Sequence, residues 1–447
     1  MTHVSDLPLR AVTRTAKLAT LPLGFAGRTA LGVGKKTFGR SAEKVALEIQ
    51  TRTAEQLFKV LGELKGGAMK LGQVLSIFEA ALPPEIAGPY RATLTKLQEA
   101  APPMPVTTVH RVLTENLGAD WRDLFQSFDD KPAAAASIGQ VHKAVWQDGR
   151  EVAVKVQYPG AGKAIIGDFN QMARVGKMFG VLFPGADIKN ILEELKVRVR
   201  EELDYTVEAA SQSAFAEAFA GDPDFLVPAV VAQSGNVLVT EWIYGTPLSQ
   251  IITSGTQEQR DRAGILFSRF LFSAPARCGH LHADPHPGNF RLMDDGRLGV
   301  IDFGAVDRIE GGFHKEIGRL MRIGTLGDAD QILAACKAEG MVRPGVEIDA
   351  EDLAAFIEPL AVPLISDTFK FSREWLRDQA VRVTDLRPNN VVRFLDLPND
   401  YVLVHRTIAL GTGVLCQLEA EGAYRAEAIR WVPGFADDAI EGPSEEE

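Results

Sequence analysis

The segment His282–Gly304, "HADPHPGNFRLMDDGRLGVIDFG", constrains this 447-residue chain more than any other. Asp284 and Asn289 stand five residues apart, and Asp302-Phe303-Gly304 begins thirteen residues after Asn289. Between them "MDDGR" reads as a turn leading into the apolar run "LGVI", so a β-hairpin with acidic groups at its flanks is expected. Such a donor set suits a hard cation like Mg²⁺, which prefers oxygen ligands. That metal neutralises the charge that phosphoryl transfer gathers on the β- and γ-phosphates. Asn289 and Asp302 are the expected metal ligands. Asp284 can orient an attacking hydroxyl or water, or accept its proton, and Pro285 and Pro287 stiffen the loop. His280, His282 and His286 alternate with Asp284, so a transition-metal cluster is an alternative, but no further His or Cys completes it. A fortuitous "DFG" is the blander alternative, and the joint spacing with Asp284, Asn289 and an upstream Val-Ala-Val-Lys strand weighs against it.

That strand, "EVAVKV" (Glu151–Val156), follows the hairpin turn "WQDGR". Its Lys155, flanked by apolar residues, reads as an inward ammonium that needs a carboxylate partner. The acidic helix Glu193–Glu208 offers Glu201, Asp204 and Glu208 on one face by their spacing of three and seven; a solvated acidic stripe is the plainer reading. The Asp–Asn step has the spacing of a protein-kinase catalytic loop, and the lysine resembles the kinase strand lysine that pairs with the α- and β-phosphates. "VTEWIYG" (Val239–Gly245) is then the hinge, where adenine would pair with the backbone C=O of Glu241 and N–H of Ile243. Laying a kinase glycine-rich loop over "AAAASIGQV" places Ala134, Ala136 and Gly139 at the glycine positions. Alanine is costly at φ > 0 and keeps a Cβ where backbone would approach phosphate. The loop is expected to be stiffer and to cover phosphates differently.

Elsewhere the periodicity is mainly helical. Apolar steps of three and four mark a helix over Thr51–Phe78, with further helical stretches at Pro89–Leu97 and Lys189–Ala220 and through most of the chain after Asp261. The proline-rich "APPMP" (Ala101–Pro105) breaks the first group from the strands. The whole reads as α+β with two lobes: a basic N-terminal arm (1–45), a helical extension (46–125), a strand-bearing lobe (126–245) and a helical lobe (246–447). Residues 1–40 carry seven Lys and Arg against Asp6 alone, against a net charge of −11 for the chain. Such an arm could lie on an anionic membrane surface or stay solvated. The acidic balance gives no support to nucleic-acid binding. Cys278, Cys336 and Cys416 form no CxxC pair, which suits a reducing compartment. No apolar run is read as reaching the ~18 residues of a membrane-spanning helix, so a cytoplasmic protein, peripheral to a membrane at most, is expected.

The motifs "KLGQ" (Lys70, Leu71, Gly72, Gln73), "AAAASIGQ", "ELD" (Glu202, Leu203, Asp204) followed by Glu208, "DPHPGN" and "DFG" together resemble the UbiB (AarF) family of atypical protein-kinase-like proteins. The resemblance runs from about Gly62 to Gly304. It implies a two-lobed protein-kinase-like fold with an N-terminal helical extension and a mainly helical C-terminal lobe. It also implies that the alanine loop, with Ala134, Ala135, Ala136, Ser137 and Gly139 at the nucleotide, is the family's own version and not a damaged one. Lys155 would pair with Glu208. Lys70 would reach into the cleft toward Glu202 of the "ELD" motif, in space a peptide substrate would need, with Gln73 and Asp204 in the same regulatory set; the helical periodicity favours Glu201 there instead. After Gly304 no Ala-Pro-Glu and no activation segment of usual length follows, so a docking platform for protein substrates is hard to find.

The expected function is a Mg²⁺-dependent ATPase, or a phosphotransferase from ATP to a small or lipidic substrate, in isoprenoid quinone or lipid metabolism. An aminoglycoside- or choline-type small-molecule kinase is one alternative. A non-catalytic, nucleotide-gated binder of hydrophobic ligands is another.

Overall fold

The computed structural model describes residues 103–136, 138–162, 166–167, 200, 202–309, 311–384 and 390–436. The basic arm, the helices expected over 51–78 and 89–97, Lys70, Gln73, Ser137, Glu201 and the acidic tail lie outside the described residues. The chain divides into two compact units, one holding 103–207 with Val231–Glu241, the other Glu208–Val230 with the residues from Trp242 onward. The α+β, two-unit architecture read from the sequence is the one the structure has.

Among the described residues the first unit is a five-stranded sheet covered by one helix. Helix α1 (Val106–Leu117) precedes strands β1 (Phe125–Ala135), β2 (Gly139–Trp146) and β3 (Glu151–Gln157). Helix α2 (Tyr205–Ala218) and the two-residue β4 (Phe225–Leu226) intervene before β5 (Val230–Ser234) and β6 (Val237–Glu241). The strand order is β1-β2-β3-β6-β5, with β2 against β3 and β3 against β6 antiparallel. Strand alternation puts Val152, Val154 and Val156 on one face, all fully buried with Val109, Val112 and Leu113 of α1. Each such side chain contributes roughly 1.5–3 kcal/mol. Trp121, Phe125, Phe128 and Trp146 close one side of that core through edge-to-face contacts. The end of α1 is tied to the β5–β6 turn, because Asn116 Oδ1 accepts from Asn236 N–H at 2.9 Å. Gly235 fits beside it only without a Cβ, which would stand 2.1 Å from that oxygen.

The second unit is mainly helical. After β7 (Thr246–Pro247) come α3 (Leu248–Ser254) and α4 (Gln257–Cys278), then β8 (His280–His282), β9 (Phe290–Leu292), β10 (Leu298–Val300) and β11 (Val306–Arg308). Helices α5 (Lys315–Leu326), α6 (Ala329–Ala338) and α7 (Ala350–Ile365) follow, then β12 (Phe369–Lys370), α8 (Arg373–Thr384), α9 (Asn399–Leu418), β13 (Glu421–Gly422) and α10 (Tyr424–Trp431). Helix α4 starts in a capping box between Thr256 and Gln259 and ends at Gly279, whose φ of 68° is left-handed. Its Arg269 is clamped between Asp224 and Glu427, the latter through three bonds of 2.6–3.0 Å.

Helix α7 carries Pro359 and Pro363. Pro359 cannot donate to the carbonyl four residues back, Ala355, and the Arg382 guanidinium donates to that oxygen instead. One correction to the sequence reading falls in α9. The stretch Tyr401–Leu418 has a mean hydropathy of 1.2 and is long enough to cross a membrane, yet 56% of it is buried within the fold. Its Val414, Cys416 and Leu418 are fully buried, as in a core helix.

Candidate functional site

In the helical unit two loops are zipped together by backbone hydrogen bonds. Strand β8 pairs antiparallel with β11, His282 opposite Val306, and β9 pairs with β10, Phe290 opposite Val300. Ala283 N–H donates to Ala305 C=O at 3.0 Å, and Ile301 N–H donates to Asn289 C=O at 3.0 Å. These bonds hold the loop carrying Asp284 and Asn289 against the one carrying Asp302. The expected "MDDGR" turn is there: Met293 N–H bonds Arg297 C=O at 2.9 Å and Gly296 has φ 84°.

The donor chemistry fits a hard cation. Asn289 Nδ2–H donates to the Asp284 carbonyl at 3.1 Å, which fixes the amide so that Oδ1 is its other end. Asp302 Oδ1 accepts Gly304 N–H at 3.0 Å, a turn bond that sets the carboxylate's direction. Phe303 is fully buried, 4.9 Å from the Phe215 ring and 5.5 Å from His282.

The sequence offers His282 a place in a metal cluster, and the structure gives it another task. It is buried, and its Nε2–H donates to the Asp302 carbonyl at 2.7 Å. Burial holds its pKa below 6.5, so the ring is neutral, and because a carbonyl only accepts, the proton sits on Nε2. His280 Nδ1 bonds Cys278 C=O at 2.6 Å, and His286 Nδ1 accepts Gly288 N–H at 3.1 Å. The three histidines thus serve separate local bonds, and no group of three His, Cys, Asp or Glu among the described residues is spaced for a metal. The signal for His282 was present in the order His-x-Asp.

In the sheet unit Lys155 pairs with Val141 of β2 and Leu238 of β6. It lies on the face of β3 opposite the buried valines, half-buried, its Nζ 5.2 Å from the Tyr205 ring centroid. Such a contact contributes about 0.5–2 kcal/mol. The "ELD" segment is held beside the end of β3, since Gln157 Nε2–H donates to Leu203 C=O at 3.0 Å.

The acidic helix needs correcting. No single helix runs through 204: Asp204 is non-helical and starts α2, its Oδ1 accepting Thr206 N–H at 3.0 Å. Glu202 and Glu208 are buried, at 6% and 2% exposure, while Asp204 is exposed. A solvated position is excluded for Glu208, and a face shared by residues 204 and 208 of one uninterrupted helix is not what forms.

The alanine segment also differs from expectation. Ala134 and Ala135 belong to β1 and pair with Val141 and Gln140, and Ala136 N–H donates to Gly139 C=O at 2.9 Å. Among the described residues the only non-glycine with positive φ is Glu419, so Ala134, Ala135 and Ala136 bear none of the left-handed strain expected of them. Gly139 has a different reason to be glycine: a Cβ there would stand 2.4 Å from Val156 O. Gln140, the last residue of "AAAASIGQ", and His142 form a buried polar chain. Met104 N–H donates to Gln140 Oε1 at 2.8 Å, Gln140 Nε2–H to His142 Nε2 at 2.8 Å, and His142 Nδ1–H to Asp129 C=O at 2.8 Å.

Glu241 ends β6 opposite Val152, its carboxylate 3.2 Å from Arg150. Ile243 packs on β10 so closely that a Cβ on Gly299 would stand 2.6 Å from its Cδ1.

The model of the ABC1 atypical kinase-like domain matches residues 96–336, more than half of the chain. The atypical kinase coq-8 of Caenorhabditis elegans, a mitochondrial protein, is 33% identical over 67% of this chain and 41% of its own length. The atypical kinase COQ8B of Danio rerio is 29% identical over 92% of this chain and 66% of its own length. The chain therefore spans less than two thirds of either relative. The solved complex of Rv3197 with erythromycin from Mycobacterium tuberculosis is 45% identical, with a TM-score of 0.67, over 89% of this chain and 100% of that one. With the kinase-like spacing of Asp284, Asn289 and Asp302 and the alanine segment in place of glycines, the chain belongs to the ABC1 atypical kinase-like family, the UbiB group that its motifs resemble.

Proposed function

We propose that the protein binds ATP with Mg²⁺ and hydrolyses it, or transfers its γ-phosphoryl group to a small or lipidic substrate. The observation that supports this reading is the pair of zipped loops, in which Asn289 bonds the Asp284 carbonyl and the Ile301 N–H while His282 holds the Asp302 carbonyl. Asn289 Oδ1 and the Asp302 carboxylate would hold the metal, which when bound supplies charge neutralisation at the phosphates. Asp284 orients the attacking hydroxyl or water and takes its proton. Lys155 serves the α- and β-phosphates, with Glu208 as its carboxylate partner. The hinge backbone of Glu241 and Ile243 takes adenine, and Ala134, Ala135, Ala136 and Gly139 serve the nucleotide as well. Glu202, Asp204, Lys70 and Gln73 form a regulatory set that restricts access by large substrates. The basic arm brings the protein to anionic membranes, where an isoprenoid quinone or other lipid pathway would be served.

The test is ATP turnover with and without Mg²⁺ and anionic vesicles. The wild-type chain is expected to turn over ATP only with the metal, faster on vesicles, and Asn289→Ala is expected to lose about 100-fold. Turnover independent of Mg²⁺ would remove the assignment. A second reading is a nucleotide-gated binder of hydrophobic molecules; its support is that a relative was solved in complex with a small molecule, erythromycin.

A further inference from the structure

The helical unit contains a pocket that shares no residue with Asp284, Asn289 or Asp302. Its walls come from α4, α5, α7, α8 and α9, and it encloses about 750 Å³, counting the part open to solvent. Ligand sites are lined mainly by apolar and aromatic side chains. Here Phe267, Leu271, Leu364 and Trp375 are typical of the lining, and no residue lining it carries a charge. Leu360, which lines the pocket and is also 41% exposed, lies on α7, the helix that carries Pro359 and Pro363.

A second, independent feature points to a ligand. Thr407 lines the pocket, is only 2% exposed, and its hydroxyl has no hydrogen-bond partner among the described residues. A buried hydroxyl left unbonded is costly, and in an apolar pocket one oxygen from an occupant would answer it. A carboxylate or phosphate head would instead place an unpaired charge among apolar groups, which is far more expensive. The apolar walls, the missing charge and the orphaned hydroxyl call for a neutral, mostly apolar occupant that carries an oxygen.

We propose that this pocket binds a neutral, single-chain hydrophobic alcohol, its chain among Phe267, Leu271 and Leu364 and its oxygen bonded to the Thr407 hydroxyl. The inference needs no nucleotide turnover and stands or falls apart from the ATP reading.

The probes are 1-decanol and decane, titrated into the full chain while tryptophan emission is followed. Wild type should bind one 1-decanol per chain, with an emission change that Trp375→Phe removes, and each methylene cut from the alcohol should weaken binding about fourfold. Thr407→Val, nearly isosteric, should weaken 1-decanol by up to about tenfold and leave decane unchanged, and Thr407→Ser should restore the alcohol's advantage. Three outcomes would overturn the proposal: no saturable binding to wild type, an emission change that survives Trp375→Phe, or equal loss of both probes in Thr407→Val.

Discussion

His142 shows how one buried ring sets a pH limit. Burial holds its pKa below 6.5, as it does for His405, and its bonds to Gln140 and Asp129 need the neutral Nδ1–H form. Both rings take up a proton near 6.5 in the unfolded chain and only at lower pH in the folded one. Stability rises with pH wherever the unfolded chain binds more protons, so it is full above 6.5 and drains as pH falls below it. The thermal midpoint should be level from about pH 8 to 7 and fall below about 6.5; a level midpoint down to about 5.5 would contradict this. His282 acts differently, through the Asp302 carbonyl it holds. His282→Phe keeps a ring in place but removes the N–H, and should lower ATP turnover about tenfold with unchanged far-ultraviolet dichroism. Turnover equal to wild type would show that the bond positions nothing.

At the scale of elements, what was legible in the sequence was local. The two Asp-Gly-Arg turns were readable because each closes on itself: Asp148 and Asp295 each bond the arginine two residues on, through its backbone N–H and its guanidinium. The break before α2 was not readable, since an apolar stripe runs past Asp204 and only the folded chain turns that carboxylate into a cap. Nor does helical spacing tell that Glu202 and Glu208 are buried while Asp204 faces solvent. The glycine overlay failed for a similar reason. A motif specifies residues, whereas the β1–β2 pairing specifies backbone, and at negative φ alanine suits a strand better than glycine does. Gly139→Ala should therefore cost more than Ala134→Gly, roughly 1–3 kcal/mol against 0.5–1. Denaturant midpoints of the two variants would show it, and the reverse order would contradict the packing of β2 on β3.

On the scale of the whole molecule, the helical unit depends on a charge that joins distant parts of the chain. Arg269 of α4 meets Asp224 near β4 and Glu427 of α10, and these partners hold its proton more tightly than usual. Removing the cation leaves the Glu427 carboxylate, 8% exposed, without its partner, so Arg269→Ala should lose about 3 kcal/mol in denaturant unfolding. A loss under about 0.5 kcal/mol would place the network among surface pairs. The proposed function rests on another arrangement, the paired loops that carry residues 284, 289 and 302. The most direct test is Mg²⁺-dependent ATP hydrolysis by wild type beside Asp302→Asn, both checked for an unchanged fold. The expected result is turnover in the wild type and a loss of about 100-fold or more in the variant. Equal turnover in the two would contradict the account.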